Sequence, residues 1–200
     1  MTPISDETAL EELYGDAVPA SLSKVMQELT PLYRQWIEAS RFLILSTVGP
    51  EGTDASPRGE DGPVVDIYDS KTLMLPDWKG NNRIDSLRNI VRDPRTSLLF
   101  VVPGCNNVVR VNGRAILTAD SDILTRFEKK GIQPKTVIAV TIEEMYFQCA
   151  KAFLRSRLWK SEDESDRVPT AGMFVKAVHA DFDAETYDST YEENAKPKMW

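Results

Sequence analysis

The run Leu75-Pro-Asp-Trp-Lys-Gly-Asn-Asn-Arg83 concentrates groups that could do chemistry. It leaves a strand-like apolar pattern and enters a helical one. Gly80 would let the backbone approach a ligand closely, and Asn81 and Asn82 are good helix caps. A helix opening here presents free N–H groups and the positive end of its dipole. With Lys79 and Arg83 alongside, these groups make a cradle for phosphate. Ordinary capping of a surface helix would use the same residues. The run lacks the pattern of an ATP-binding loop.

Three further clusters could contribute. Arg58, in Ala55-Ser-Pro-Arg-Gly59, sits where Pro57 favours an edge strand or a bulge, and could reach the same anion. Arg110, Asn112 and Arg114 alternate, so they share one strand face, suited to a bound ligand, a dimer seam or solvent. Arg155 and Trp159 stand four apart in a segment that reads as a helix over 150–159, and could cover a ligand or pack a dimer.

Much other chemistry is excluded. His179 is the only histidine, and no GxSxG surrounds a serine, so a hydrolase triad is disfavoured. Cys105 and Cys149 form no CxxC and no metal spacing, which disfavours structural zinc and a disulfide framework. Any chemistry is expected from a bound cofactor, in a cytoplasmic setting. No apolar run is long enough for a membrane span, and the acidic first residues do not read as a signal peptide.

The formal net charge of −7 over 200 residues argues against nucleic-acid binding. Its distribution is uneven. Residues 1–23 carry −5, residues 24–160 carry +4 and residues 161–200 carry −6. This predicts an acidic arm over 1–18, a mildly basic, anion-binding domain over 19–160 and an acidic extension over 161–200.

The elements that must position these residues are mostly strands. Helices are expected from Ser21 as an N-cap and again after Pro31, then over 78–94, 121–130 and 150–159, with a further short segment at 171–177. Strands are expected at 41–48, 53–58, 64–68, 72–76, 96–102, 108–117 and 136–142, the last continuing towards 149, with Gly113 at a bulge. Without regular βαβ alternation, a small antiparallel barrel with peripheral helices fits best.

In combination, RFLILSTVGPEGTDASPRG at 41–59, LMLPDWKGNNRIDSLRNIVRDPRTSLLF at 73–100 and VVRVNGRAIL at 108–117 resemble the FMN-binding split β-barrel proteins related to pyridoxamine 5'-phosphate oxidase. The resemblance covers roughly 35–160, and FQCAKAFLRSRLW at 147–159 matches a subgroup of that family. It implies a mainly β, split antiparallel barrel with peripheral helices. It also implies a homodimer with FMN in grooves between subunits. Arg58, Asn82 and Arg83 would then hold the flavin phosphate, with Lys79 and Asn81 beside them. Leu75 and Pro76 would lie along the isoalloxazine ring. Val108 stands where the family often has a polar residue reaching the partner's flavin. Arg110, Arg155 and Trp159 are the remaining candidates for cofactor contact.

The chain lacks the Arg-x-His and RLxP segments of the pyridoxamine oxidases, which argues against pyridoxal-phosphate synthesis. The expected function is an FMN-dependent oxidoreductase acting on a small molecule, with NAD(P)H a candidate donor. The alternatives are a flavin- or haem-binding carrier or sensor on the same barrel, and a dimeric domain with an empty groove.

Overall fold

The computed structural model describes Met1–Trp200. In chain order it contains α1 (Glu7–Tyr14), α2 (Pro19–Ser23), α3 (Pro31–Ala39), β1 (Phe42–Gly49), β2 (Gly52–Gly59), β3 (Asp66–Ile67), β4 (Thr72–Asp77) and α4 (Asp85–Arg92). There follow β5 (Arg95–Val101), β6 (Val108–Thr118), α5 (Ser121–Thr125), β7 (Thr136–Gln148), α6 (Lys151–Ser156), α7 (Ala171–Val178) and α8 (Ala184–Ala195). The seven strands form one antiparallel sheet in the order β2-β1-β5-β6-β7-β4-β3.

Period-two patterning sets the inner face. Leu43 and Leu45 of β1 pair with Phe100 and Leu98 of β5, and all four are buried. Val109, Val111, Ile138, Val140, Leu73 and Leu75 extend this core across β6, β7 and β4. On α3, which Pro31 opens and Thr30 caps, Ile37 is fully buried against the core. Ile90 closes another side from α4. The mainly β architecture with peripheral helices is therefore the observed one.

Between Asn112 and Gly113 the β6–β7 register shifts, as a bulge requires. A Cβ on Gly113 would lie 1.9 Å from the carbonyl oxygen of Thr141, so the close strand approach needs glycine.

Several expected helices are shorter. Ser21 is not an N-cap: Val18 holds that position, and Ser21 lies inside the five-residue α2. Beyond it, Met26 exchanges backbone hydrogen bonds with Met145 at 2.9 and 2.7 Å. β4 pairs with β7 only as far as Thr141, so an exposed strand edge recruits this segment and overrides its helical spacing. The helix expected over 121–130 stops at Thr125, and the strand expected over 64–68 is reduced to Asp66–Ile67. Conversely, α8 was not anticipated. It packs on α7 where Asp188 accepts from the Gly172 N–H at 2.8 Å.

Candidate functional site

β2 ends the sheet, and beyond Met74 β4 has only β7 beside it. The sheet curls so that these two edges face one another, and side chains bridge the split. Arg58 of β2 meets Asp77 of β4 at 2.5 Å, with both side chains largely buried. Trp78 Nε1 donates to Glu60 just beyond.

A cleft of about 660 Å³ opens at this split. Arg58, Asn81, Asn82 and Arg83 all line it, together with Asp54, Asp77, Asp85, Ser86, Lys135 and Thr136. A smaller lobe of about 320 Å³ shares Pro57, Arg58, Trp78 and Gly80 with it, and adds Leu75, Pro76 and Lys79. Seven of the ten expected cofactor-binding residues thus border one composite groove.

The expected helix over 78–94 begins only at Asp85. Neither Asn81 nor Asn82 caps it. Ile84 is the N-cap, in a left-handed conformation at φ 53° and without a side-chain cap, and Asn82 also has a positive φ of 60°. Asn81 instead accepts from the Arg83 N–H at 3.0 Å, tightening the loop. The first backbone bond onto the helix start runs from the Arg88 N–H to Ile84 at 3.0 Å. The N–H groups of Asp85, Ser86 and Leu87 precede it and carry the positive end of the dipole into the cleft. Gly80 is not demanded by packing, because a Cβ there would meet nothing within 4 Å.

The cleft is less cationic than the sequence suggests. Asp77 engages Arg58, Asp85 engages the exposed Arg83, and Asp54 accepts from Ser86 Oγ. Lys135 has only a neutral partner, Asn82 Oδ1 at 3.3 Å. Two of the cleft-lining residues also carry a buried polar atom without a partner, Arg58 Nε and Thr136 Oγ1. Such groups are costly unless an acceptor reaches them. Lys135, Thr136 and Asp54 are not legible in the sequence, because only the Asp77↔Thr136 register and the curl bring them to the loop, whereas Ser86 follows the loop directly on α4.

Glu60 organises the smaller lobe. Its side chain is 4% exposed and accepts from Trp78, from Lys129 and, at 3.1 Å, from Trp200 Nε1. Lys129 also contacts Asp61 at 2.7 Å. Burial alone would lower the Lys129 pKa. The hydrogen bonds to Asp61 and Glu60 outweigh it and hold the ammonium above its ordinary value. Lys129 in turn holds the Asp61 carboxyl below its usual range.

Arg110, Arg155 and Trp159 do not line this groove within one chain. Arg110 stacks over Tyr146 at 5.4 Å. α6 ends at Ser156 and Arg157 turns left-handed at φ 53°, so the expected i, i+4 pairing of Arg155 with Trp159 is not formed. Trp159 instead stacks on Phe153 at 5.8 Å and donates to the Cys105 carbonyl at 2.7 Å.

Residues 29–149 match the family model described as pyridoxamine 5'-phosphate oxidase, and the chain belongs to that family. Among solved structures it is similar to HupZ of Group A Streptococcus, with 20% identity over 58% of this chain and 91% of that one, at a TM-score of 0.47. It is similar to General Stress Protein 26 of Bacillus anthracis, with 17% identity over 57% and 88%, at 0.44. It is also similar to an FAD binding protein of Mycobacterium smegmatis, with 11% identity over 62% and 97%, at 0.41. A comparison with curated proteins finds no match.

Proposed function

We propose that this protein is an FMN-binding flavoprotein oxidoreductase of the pyridoxamine 5'-phosphate oxidase-related kind, acting on a small molecule. The observation that carries this reading is one cleft that gathers Arg58, Arg83 and Lys135 around an uncapped helix start. A phosphate ester matches this donor set in charge and hydrogen-bonding type. Arg58, Asn82, Arg83 and Lys135 would hold the phosphate. The Leu75–Pro76 edge would border the ring. When bound, FMN supplies hydride or electron transfer, with NAD(P)H the proposed donor.

The chain's own residues bind and orient. Asp77 fixes the Arg58 guanidinium, and the buried Leu75 and Pro76 give the ring lobe an apolar wall. Neither lobe contains a histidine or cysteine, so no such side chain is available there as a proton carrier or haem ligand. A non-catalytic flavin carrier stands as the second reading.

We further propose a homodimer. Phe42, Ile116, Phe147, Leu154 and Phe174 are large apolar side chains left exposed, area that a partner seated on them would bury. Arg110, Arg155 and Trp159 would then serve the partner's groove. No helix is long and apolar enough to cross a membrane. The free thiols of Cys105 and Cys149 support a cytoplasmic setting.

The test is FMN titration of the purified full chain, followed by anaerobic addition of NAD(P)H. Saturable binding with flavin absorbance supports the cofactor reading, and bleaching supports the oxidoreductase. A chain that binds no FMN overturns the proposal, and binding without bleaching by either nucleotide favours the carrier.

A further inference from the structure

The proposed flavin site is completed by a residue far outside the family-matching segment. Met199 and Trp200 line the smaller lobe together with Leu75 and Pro76. They reach it from the acidic extension, where α7 and α8 form a built hairpin. Thr170 caps α7, Asp188 ties the helices together, and a Cβ on Gly172 would come within 2.7 Å of the Ala184 carbonyl oxygen. The chain then returns to the barrel at Trp200.

Three groups hold that indole. Its Nε1 donates to Glu60 Oε2 at 3.1 Å, on the carboxylate that also takes Trp78. Lys129 Nζ lies 4.8 Å and Lys130 Nζ 5.7 Å from its ring centroid, both within cation–π range. Met199 lines the lobe beside it in the chain. With Trp200 in place, about 320 Å³ remains in the lobe, so the indole lines the space without filling it. One buried carboxylate thus fixes two indoles, Trp78 and Trp200, at the border of a single cavity.

We propose that Trp200 is a positioning and specificity residue: a wall that favours a planar aromatic ring in this lobe. The inference rests on the flavin reading and names what that reading leaves open, the element closing the ring lobe. Aromatic walls favour flat, polarisable ligands through offset stacking. Glu60 holds the indole in register, so the preference is pre-organised.

The experiment compares the full chain with Trp200→Ala, Trp200→Phe and Arg83→Ala, using FMN and lumiflavin, the same ring without ribityl phosphate. Binding is read by flavin fluorescence. Trp200→Ala is expected to weaken both ligands by the same factor, about three- to tenfold, with Trp200→Phe recovering most of the loss. Arg83→Ala is expected to weaken FMN alone. Wild-type binding of FMN with no loss in Trp200→Ala overturns the wall and leaves the flavin reading intact. Tighter binding by Trp200→Ala also overturns it, since the indole would then be an obstruction. A loss for FMN but not for lumiflavin overturns it as well, by placing the effect at the phosphate. Failure of the wild type to bind either flavin overturns both proposals.

Discussion

The two lobes of the groove are built on opposite principles. The larger one is polar, and most of its charged side chains already have partners: Arg58 with Asp77, Arg83 with Asp85, Asp54 with the Ser86 hydroxyl, while Lys135 meets only Asn82. The smaller one is aromatic and hangs on one carboxylate, Glu60, which gathers two indoles and an ammonium. A ligand entering the larger lobe must compete with existing partners. One entering the smaller lobe finds walls already set. The contrast assigns adaptability to the phosphate end and rigidity to the ring end.

The sharpest way to break this contrast is Glu60→Ala. It strips two indoles and Lys129 of their shared acceptor. We expect a stability loss of about 3 kcal/mol, discounted for the partial exposure of Lys129. Urea unfolding measures it, and a loss below about 1 kcal/mol would show that Glu60 organises nothing.

Next in size is Arg58→Gln. Its guanidinium is mostly buried and its Nε unpartnered, so FMN binding should weaken by about 2 kcal/mol, roughly thirtyfold. Arg83, 79% exposed and already paired with Asp85, should matter less. Arg83→Ala is expected to cost only about threefold in FMN affinity. Equal losses for the two arginines would contradict the geometry.

Asp54→Asn tests the neutralised character of the larger lobe. Removing one carboxylate beside Ser86 should tighten FMN by about two- to threefold at low salt, fading as salt screens the cleft. Weaker binding in the titration would mean that Asp54 positions Ser86 for the ligand.

The smallest expected effect is a pH dependence. Lys129 is held above its ordinary value of 10.5, so its contribution is present in full below the unfolded pKa. It is lost as pH rises through the higher folded value. Unfolding measured between neutral and strongly alkaline pH should show this decline, and Lys129→Met should remove it.

Legibility in the sequence follows the same division. The larger lobe draws on Arg58 and the loop at 80–87, short stretches whose residue types announce an anion site. The strands were legible because Leu43, Leu45, Leu98, Phe100 and their neighbours alternate, and burial on one face enforces that period. Gly113 was legible because a glycine inside a long strand has few other uses. The start of α4 was misplaced because Asn81 and Asn82 are equally good at stabilising a turn, and here Asn81 does so. The smaller lobe was half legible, through Leu75 and Pro76. Glu60, Lys129 and Trp200 are separated by most of the chain, and no local pattern relates them. Arg155 and Trp159 misled because a left-handed Arg157 ends their helix early.

The split between β2 and β4 has a dynamic consequence. No backbone ladder joins these two edges, and the curl is held there by side chains alone. This seam is where the barrel should breathe. Its edge amides should exchange with solvent sooner than those of β5 and β6, which are paired on both sides. A molecule bound across the seam would act as a staple, damping that opening and raising the melting temperature with concentration. Slowed exchange at Arg58 and Asp77, with β5 unchanged, would be the trace of occupancy, readable without knowing the reaction.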